Sequence, residues 1–179
     1  MKKLIFLVVS IILFSVTANA APLIGRLGIG MANHLESGMD LVSFKIQRSR
    51  SSAMGGHFGM DSSADGVLYA LGGKLYKYIY EEPQLNFYSA IAGTLYTYQN
   101  NTSGNTDQGY QFDGTFGSEF HFQGLESIGF SFEFGIGFSK YQEETHLKTI
   151  GHNTIRSAVH FYLEELNETN HRPIFLPLI

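Results

Sequence analysis

The sequence predicts an all-β protein, namely a closed, antiparallel, up-and-down transmembrane β-barrel of about eight strands. Aromatic residues are frequent, at 14%, whereas charged residues make up 16% of the chain against about 25% in an ordinary soluble domain. No stretch beyond residue 20 holds 18 consecutive apolar residues, so the sequence predicts no transmembrane helix. Apolar and polar residues instead alternate over long segments, which is the pattern of strands with two different faces.

The first 20 residues have the features of a secretory signal peptide. Two lysines precede a nearly unbroken apolar run of 13 residues, Leu4 to Val16, and the small residues of Ala18-Asn19-Ala20 are typical of a cleavage site. The run is short for a spanning helix, which needs about 20 residues. We therefore expect a signal peptide at 1–20, a barrel at 21–163 and a C-terminal extension at 164–179, located in the outer membrane of a Gram-negative bacterium.

Charge and cysteine content exclude two classes of protein. Without the two lysines of the signal peptide, ten of the 12 basic residues remain against 16 acidic ones, which argues against nucleic acid as a partner. The chain has no cysteine, so it cannot be a small secreted domain held by disulfides. The sequence carries no cofactor signature, and we expect no cofactor.

The first five predicted strands show a regular but incomplete alternation of apolar and polar residues. The third is the weakest, because it is short and rich in glycine. The fourth and fifth form a long hairpin around Glu81–Gln84. The five segments are Leu23–Asn33, Leu41–Arg48, Met54–Met60, Val67–Tyr80 and Leu85–Tyr98.

The strongest strand pattern lies in the next two segments, Tyr110–Gln123 and Ile128–Ser139. In both, aromatic residues occupy every second position over most of the length, and the short link Gly124–Ser127 predicts a hairpin. Both segments exceed the five or six residues that are usual in soluble strands, and they are long enough for tilted membrane strands of about 9–11 residues. Thr154–Leu163 is the eighth predicted strand.

The connections alternate between short and long, as they do in outer-membrane barrels. Ser49–Ala53, Glu81–Gln84 and Gly124–Ser127 are tight, whereas Gln99–Gln108 and Gln142–Asn153 are long and polar. The long loops are therefore expected outside the cell, and the tight turns and both chain ends on the periplasmic side.

Tyrosines cluster near both ends of the predicted strands, which favours two aromatic girdles at the membrane interfaces, although tyrosine is also common in strands generally. The residues are Tyr76, Tyr78, Tyr80 and Tyr88 near the tight turns, and Tyr96, Tyr98, Tyr110 and Tyr141 near the long loops.

Three segments resemble a known family: Phe116-Gly117-Ser118-Glu119-Phe120, Gly129-Phe130-Ser131-Phe132-Glu133-Phe134-Gly135 and the strand end His160-Phe161-Tyr162. They are similar to the small porin-like outer-membrane β-barrel proteins, which include the OmpA membrane domain, OmpX and OmpW. The resemblance implies outer-membrane lipid, the barrel-assembly machinery and periplasmic chaperones as partners, but it implies no activity. The chain departs from the usual pattern because the extension Glu164–Ile179 follows the last strand.

The seventh strand indicates which face meets lipid. A soluble periplasmic barrel that binds an apolar ligand would show the same alternation with its apolar face inside. The non-aromatic face between Gly129 and Ser139 holds glycine, serine and one glutamate, whereas a solvent-exposed face would normally carry more charge. We therefore expect the aromatic face, with Phe116, Phe120, Phe132 and Phe134, to point outwards.

Nine charged or histidine residues fall on the inward positions. Glu119 is expected to face Glu133, so a basic side chain (Arg26, Lys45 or Arg156) should contact one of these carboxylates. One interpretation is an acid–base pair or a path for protons or ions; the other is a salt-bridge network that plugs a narrow lumen. The nine residues are Arg26, Lys45, Lys74, Asp113, Glu119, His121, Glu133, Arg156 and His160.

The sequence predicts neither a catalytic residue nor a metal site. A lipid A-modifying hydrolase or acyltransferase remains an alternative, but Ser118 and Ser157 lie on the lipid-facing positions without a histidine–acid set. His146 and His152 are too loosely spaced to define a metal site. The favoured hypothesis is an integral outer-membrane barrel with a structural or surface-interaction role and a plugged lumen.

Overall fold

The computed structural model describes residues 23–35, 38–142, 144–150 and 156–163, and these residues form nine strands. The predicted signal peptide and the C-terminal extension lie outside the described residues. The strands are β1 (Leu27–Ala32), β2 (Leu41–Ser49), β3 (Ser52–Ser62), β4 (Gly66–Glu82), β5 (Leu85–Asn100), β6 (Thr106–Phe122), β7 (Leu125–Tyr141), β8 (Glu144–Ile150) and β9 (Arg156–Tyr162).

Eight of the strands form a closed antiparallel barrel, as the sequence predicts. Each strand from β1 to β7 pairs with the next, β7 pairs with β9, and β9 pairs with β1. At this closure Gly30 lies against β9, where a Cβ atom would overlap the carbonyl oxygen of Val159. Closure therefore depends on a residue without a side chain at this position.

β8 is the additional strand. The sequence predicts a long polar connection over Gln142–Asn153, whereas in the structure Glu144–Ile150 within this range forms a strand. β8 pairs with Gly135–Tyr141 of β7, and β9 pairs with Ile128–Glu133 of the same strand. In β8 every side chain except that of Ile150 is exposed, so the strand has no buried face. Its sequence accordingly shows no alternation of apolar and polar residues. The backbone ladder with β7 defines this strand.

The second predicted long loop is also shorter than expected. β5 continues to Asn100 and β6 begins at Thr106, so the connection contains five residues rather than Gln99–Gln108. Polar residues continue both strands, because backbone pairing does not require an apolar side chain. The glycine-rich third strand, predicted as the weakest, is an 11-residue strand in the structure.

The predicted register between β6 and β7 is wrong. The chain turns at Gln123–Gly124, where Gly124 has a φ of 83°, and a bulge follows, so that His121 pairs with Gly129. Glu119 therefore lies opposite Ser131, and Glu133 lies opposite Gly117. The prediction assumed an undistorted turn at Gly124–Ser127, and a bulge of this kind cannot be seen in an alternating pattern.

The two faces of the barrel differ sharply in polarity. All eight barrel strands carry large apolar side chains that are exposed on the outer face, for example Leu71 (68% exposed), Leu95 (67%) and Phe134 (61%). Phe116 and Phe132 are also exposed, and Phe120 is half-buried in a stack with Phe130 and Phe132. Among the described residues, no helix is long and apolar enough to cross a membrane.

Three of the four tyrosines that were assigned to the girdle near the tight turns point into the barrel instead. Tyr76, Tyr78 and Tyr88 are 7%, 5% and 1% exposed and form a cluster with Ala53 and Ala90. They share the strand positions of buried residues, so their inward direction follows from the alternation. Tyr80, beyond an irregularity in β4, is exposed.

The connection between β1 and β2 covers one end of the barrel. Its residues Leu35 and Met39 are buried against Leu41 and Ala70, which lie on β2 and β4. Leu68 and Tyr96 pack partly against the same cluster. The barrel interior is therefore apolar at this end and polar along most of its length.

Candidate functional site

All nine predicted inward residues have buried side chains, between 0% and 8% exposed. They come from β1, β2, β4, β6, β7 and β9 or lie directly beside these strands, so they share one interior because the sheet closes. Their exposures are Arg26 8%, Lys45 1%, Lys74 4%, Asp113 5%, Glu119 0%, His121 8%, Glu133 3%, Arg156 5% and His160 1%.

The first ion pair joins Lys45 and Glu119 across the lumen, with 2.7 Å between Nζ and Oε2. This is the contact expected from the sequence between a basic residue and one of the two carboxylates. The Tyr162 hydroxyl donates a 2.6 Å hydrogen bond to the other carboxylate oxygen. The Lys45 ammonium lies 4.6 Å from the centre of the Tyr76 ring, so aromatic faces also surround the cation.

The second ion pair joins Lys74 and Glu133, with 2.5 Å from Nζ to each carboxylate oxygen. The Tyr88 hydroxyl donates to Oε1 at 2.8 Å, and the Thr115 hydroxyl donates to Oε2 at 3.1 Å. Each carboxylate oxygen thus accepts a neutral hydrogen bond in addition to the lysine. This is the arrangement that a buried carboxylate requires.

The third ion pair joins Arg156 and Asp113, with 2.7 Å between Nη1 and Oδ2. The amide nitrogen of Gln111 donates to the same carboxylate oxygen at 2.8 Å and to the backbone oxygen of His34 at 2.9 Å. Gln111 therefore links this ion pair to the connection between β1 and β2. The polar network ends there, below the apolar cluster at the barrel end.

Arg26 and His121 lie at the short-turn end and contact backbone rather than carboxylates. Arg26 donates to the backbone oxygens of Tyr162 (3.0 Å) and Leu163 (3.2 Å) and to the Ser127 hydroxyl (3.1 Å). Nδ1 of His121 lies 3.1 Å from the backbone oxygen of Glu126. These two residues hold the ends of β9, β6 and β7 together.

One serine–histidine contact resembles part of a hydrolase site. The Ser43 hydroxyl lies 2.7 Å from Nε2 of His160, but both side chains are buried. Nδ1 of His160 has no hydrogen-bond partner among the described residues, so no carboxylate orients the ring as in a catalytic triad. A bulky substrate has no access to this pair.

Sequence reasoning missed the neutral partners of the network. Hydrogen bonds to the carboxylates come from Tyr88, Tyr162, Thr115 and Gln111. A signal was present for Tyr162, because it shares the inward positions of Arg156 and His160. The pairing of Lys74 with Glu133 was not predictable, because β4 and β7 are not neighbours in the sheet.

The described part of the chain holds no group of three or more histidine and acidic side chains that could bind a metal ion. In β8, His146 lies 3.4 Å from Glu144, and both side chains are largely exposed; His152 lies outside the described residues. Comparison with protein-family models, with curated proteins and with solved structures finds no match to this chain.

Proposed function

We propose that this protein is an integral outer-membrane β-barrel with a structural or surface-interaction role and a lumen plugged by salt bridges. The observation that carries the proposal is the inverted polarity of the barrel. Charged pairs such as Lys45–Glu119 are buried inside, whereas large apolar side chains such as Leu71 and Phe134 are exposed outside.

A hydrocarbon environment accounts for this outer face better than water does. Soluble monomers rarely expose continuous apolar patches larger than a few hundred Å², whereas here all eight barrel strands contribute to one apolar belt. The pairing of β9 with both β1 and β7 also closes the eight-stranded sheet, as a strand structure in hydrocarbon requires. Lys77 is a charged residue on the outer face of β4, and its long side chain is able to extend toward the interface.

The ion pairs support a closed lumen. An eight-stranded barrel has an interior only wide enough for side chains, and three ion pairs and their tyrosine partners occupy it. We expect the purified protein to add no discrete ion conductance to a planar lipid bilayer. Regular single-channel steps would contradict the plug and favour a pore.

The different connections at the two ends of the barrel support an orientation of the protein in the membrane. Residues 50–51, 83–84 and 123–124 form tight turns at one end, together with the described chain ends near residues 23 and 163. The β7–β8 hairpin and residues 33–35 and 38–40 lie at the other end, which we assign to the cell surface. Outer-membrane lipid, the barrel-assembly machinery and periplasmic chaperones are the partners that this location implies.

Membrane fractionation tests the proposal. The protein should remain with the outer membrane after carbonate extraction, and its gel mobility should differ between unheated and boiled samples, because a closed barrel resists detergent until it is heated. Recovery in the soluble periplasmic fraction would contradict the proposal and favour a soluble barrel that binds an apolar ligand.

Neither alternative function has comparable support from the side chains. A soluble apolar-ligand carrier needs an apolar cavity, but the middle of this interior contains ion pairs. A lipid-modifying enzyme needs an accessible nucleophile, and the Ser43–His160 contact is buried. The mass spectrum of lipid A should therefore be the same with and without the gene, whereas a change in acyl chains would favour the enzyme.

A further inference from the structure

A cavity lies at the mouth of the barrel opposite the tight turns, separate from the charged lumen. This mouth cup has a volume of about 290 Å³, close to the lower end of the 300–1,000 Å³ range typical of small-molecule sites. Its lining includes Leu35, Leu68, Tyr96, Tyr98, Tyr141 and Gln111. The Gln111 amide, bonded to His34 and Asp113, forms the floor that separates the cup from the ion pairs.

Two of the three tyrosine hydroxyls of the cup donate to backbone oxygens at the rim, which holds their rings in place. The Tyr96 hydroxyl donates to the backbone oxygen of Lys140 at 3.2 Å, and the Tyr98 hydroxyl donates to that of Asp65 at 3.2 Å. The rings of Tyr96 and Tyr141 are stacked, with centroids 5.9 Å apart. Fixed rings offer a contact surface at low cost in conformational entropy.

The lining selects against charged ligands. Apart from tyrosines, His146 at the rim is the one titratable side chain among the described residues that line the cup. A charged ligand would lose hydration there, and among the described lining residues it would find no lysine, arginine, aspartate or glutamate with which to pair. Aromatic rings gain additional energy from stacking or edge contacts with tyrosine, and the two leucines favour an apolar body.

We propose that the mouth cup binds a small, uncharged aromatic molecule of about one or two rings. The site requires only the fold and the residues at the barrel mouth, so it does not depend on the membrane proposal. It would give the outer end of the barrel a ligand-binding role even though the lumen below is closed.

Methyl NMR on the full protein in detergent micelles tests the proposal with two probes of similar size, phenol and cyclohexanol. Leu35 and Leu68 report on the cup, whereas Leu71 and Leu75 on the outer face report on probe dissolved in the micelle. Phenol should shift the cup methyls in a saturable manner and the outer methyls linearly. Cyclohexanol should bind the cup roughly two- to tenfold more weakly.

A matched pair of variants on β7 locates the site. Ser139→Tyr adds a ring inside the cup and should abolish the saturable shift, whereas Phe138→Tyr changes the neighbouring outward position and should leave it unchanged. Linear shifts at all four leucines, or a saturable shift that persists in Ser139→Tyr, would overturn the site. Equal affinity for cyclohexanol in the wild type would overturn the assignment to an aromatic ligand, even if Ser139→Tyr fails to fold.

Discussion

At the scale of single residues, both oxygens of the buried carboxylates Glu119 and Glu133 have hydrogen-bond partners. Glu119 contacts Lys45 and Tyr162, and Glu133 contacts Lys74, Tyr88 and Thr115. Taking ions out of water costs several kcal/mol for each ion, and only good geometry with additional hydrogen bonds offsets this cost. Removing one partner therefore matters more than removing a whole pair.

We expect Lys45→Met to lower the free energy of unfolding by about 3–5 kcal/mol, because it leaves Glu119 as an unpaired buried charge. The double variant Lys45→Met/Glu119→Gln should recover a large part of this loss. Lys77→Met, a matched change on the outer face, should have little effect. Urea unfolding in lipid vesicles measures all three, and a double variant less stable than the single one would contradict the account.

The Tyr162 hydroxyl provides a second test. Tyr162→Phe removes a 2.6 Å hydrogen bond to the buried Glu119, and a bond to a charged group contributes about 1.5–3 kcal/mol. Tyr80→Phe removes a hydrogen bond to Glu82 at the exposed end of β4 and should leave the unfolding free energy nearly unchanged. Equal effects of the two substitutions would show that Glu119 does not depend on Tyr162.

At the scale of elements, the sequence predicts the strands whose two faces differ. The β6–β7 hairpin was predictable because phenylalanine and polar residues alternate over its length. β8 was not predictable, because its sequence shows no alternation of apolar and polar residues and it pairs with β7 through the backbone. The bulge beside His121 was not predictable either. The sequence therefore predicts correctly that Glu119 and Glu133 point inwards, but it does not predict which residues lie opposite them on the neighbouring strand.

The face assignment of β7 predicts the cost of a charge on its outer side. Phe132→Arg should lower the unfolding free energy by about 2–4 kcal/mol if this position lies near the bilayer midplane. Gln99→Arg, on the exposed outer end of β5, should cost about 0–1 kcal/mol. Unfolding in vesicles provides the comparison, and an unchanged stability for Phe132→Arg would reverse the faces.

At the scale of the whole molecule, closure of the sheet turns its two faces into the interior and the exterior of the barrel. Residues that alternate along each strand therefore lie either in the lumen or on the outer surface. The sequence shows that Lys74 and Glu133 share the inward face, but only the closed sheet places β4 and β7 across one lumen. The girdle assignment of Tyr76, Tyr78 and Tyr88 failed for a different reason. Their distance from the turn was correct, but their direction is set by the alternation along β4 and β5.

The positions of the tight turns and of the other connections predict which end of the barrel faces the cell surface. An epitope tag inserted between Ser103 and Gly104, in the connection between β5 and β6, should be stained on intact cells. A tag in the Pro83–Gln84 turn should be stained only after the outer membrane is permeabilised. The opposite pattern would indicate an inverted barrel, and staining of both tags only after permeabilisation would contradict a surface-exposed connection between β5 and β6.

Fluorescence quenching along β7 tests most directly whether the outer face meets lipid. The chain has no cysteine, so single cysteines at outward Phe132, Phe134 and Ile136 and at inward Ser131 and Ser139 can each carry one environment-sensitive dye. In vesicles that contain lipids with nitroxide-labelled acyl chains, we expect strong quenching at the three outward positions and weak quenching at the two inward ones. Equal quenching at all five positions, or strong quenching only at the inward ones, would contradict a membrane barrel with a polar interior.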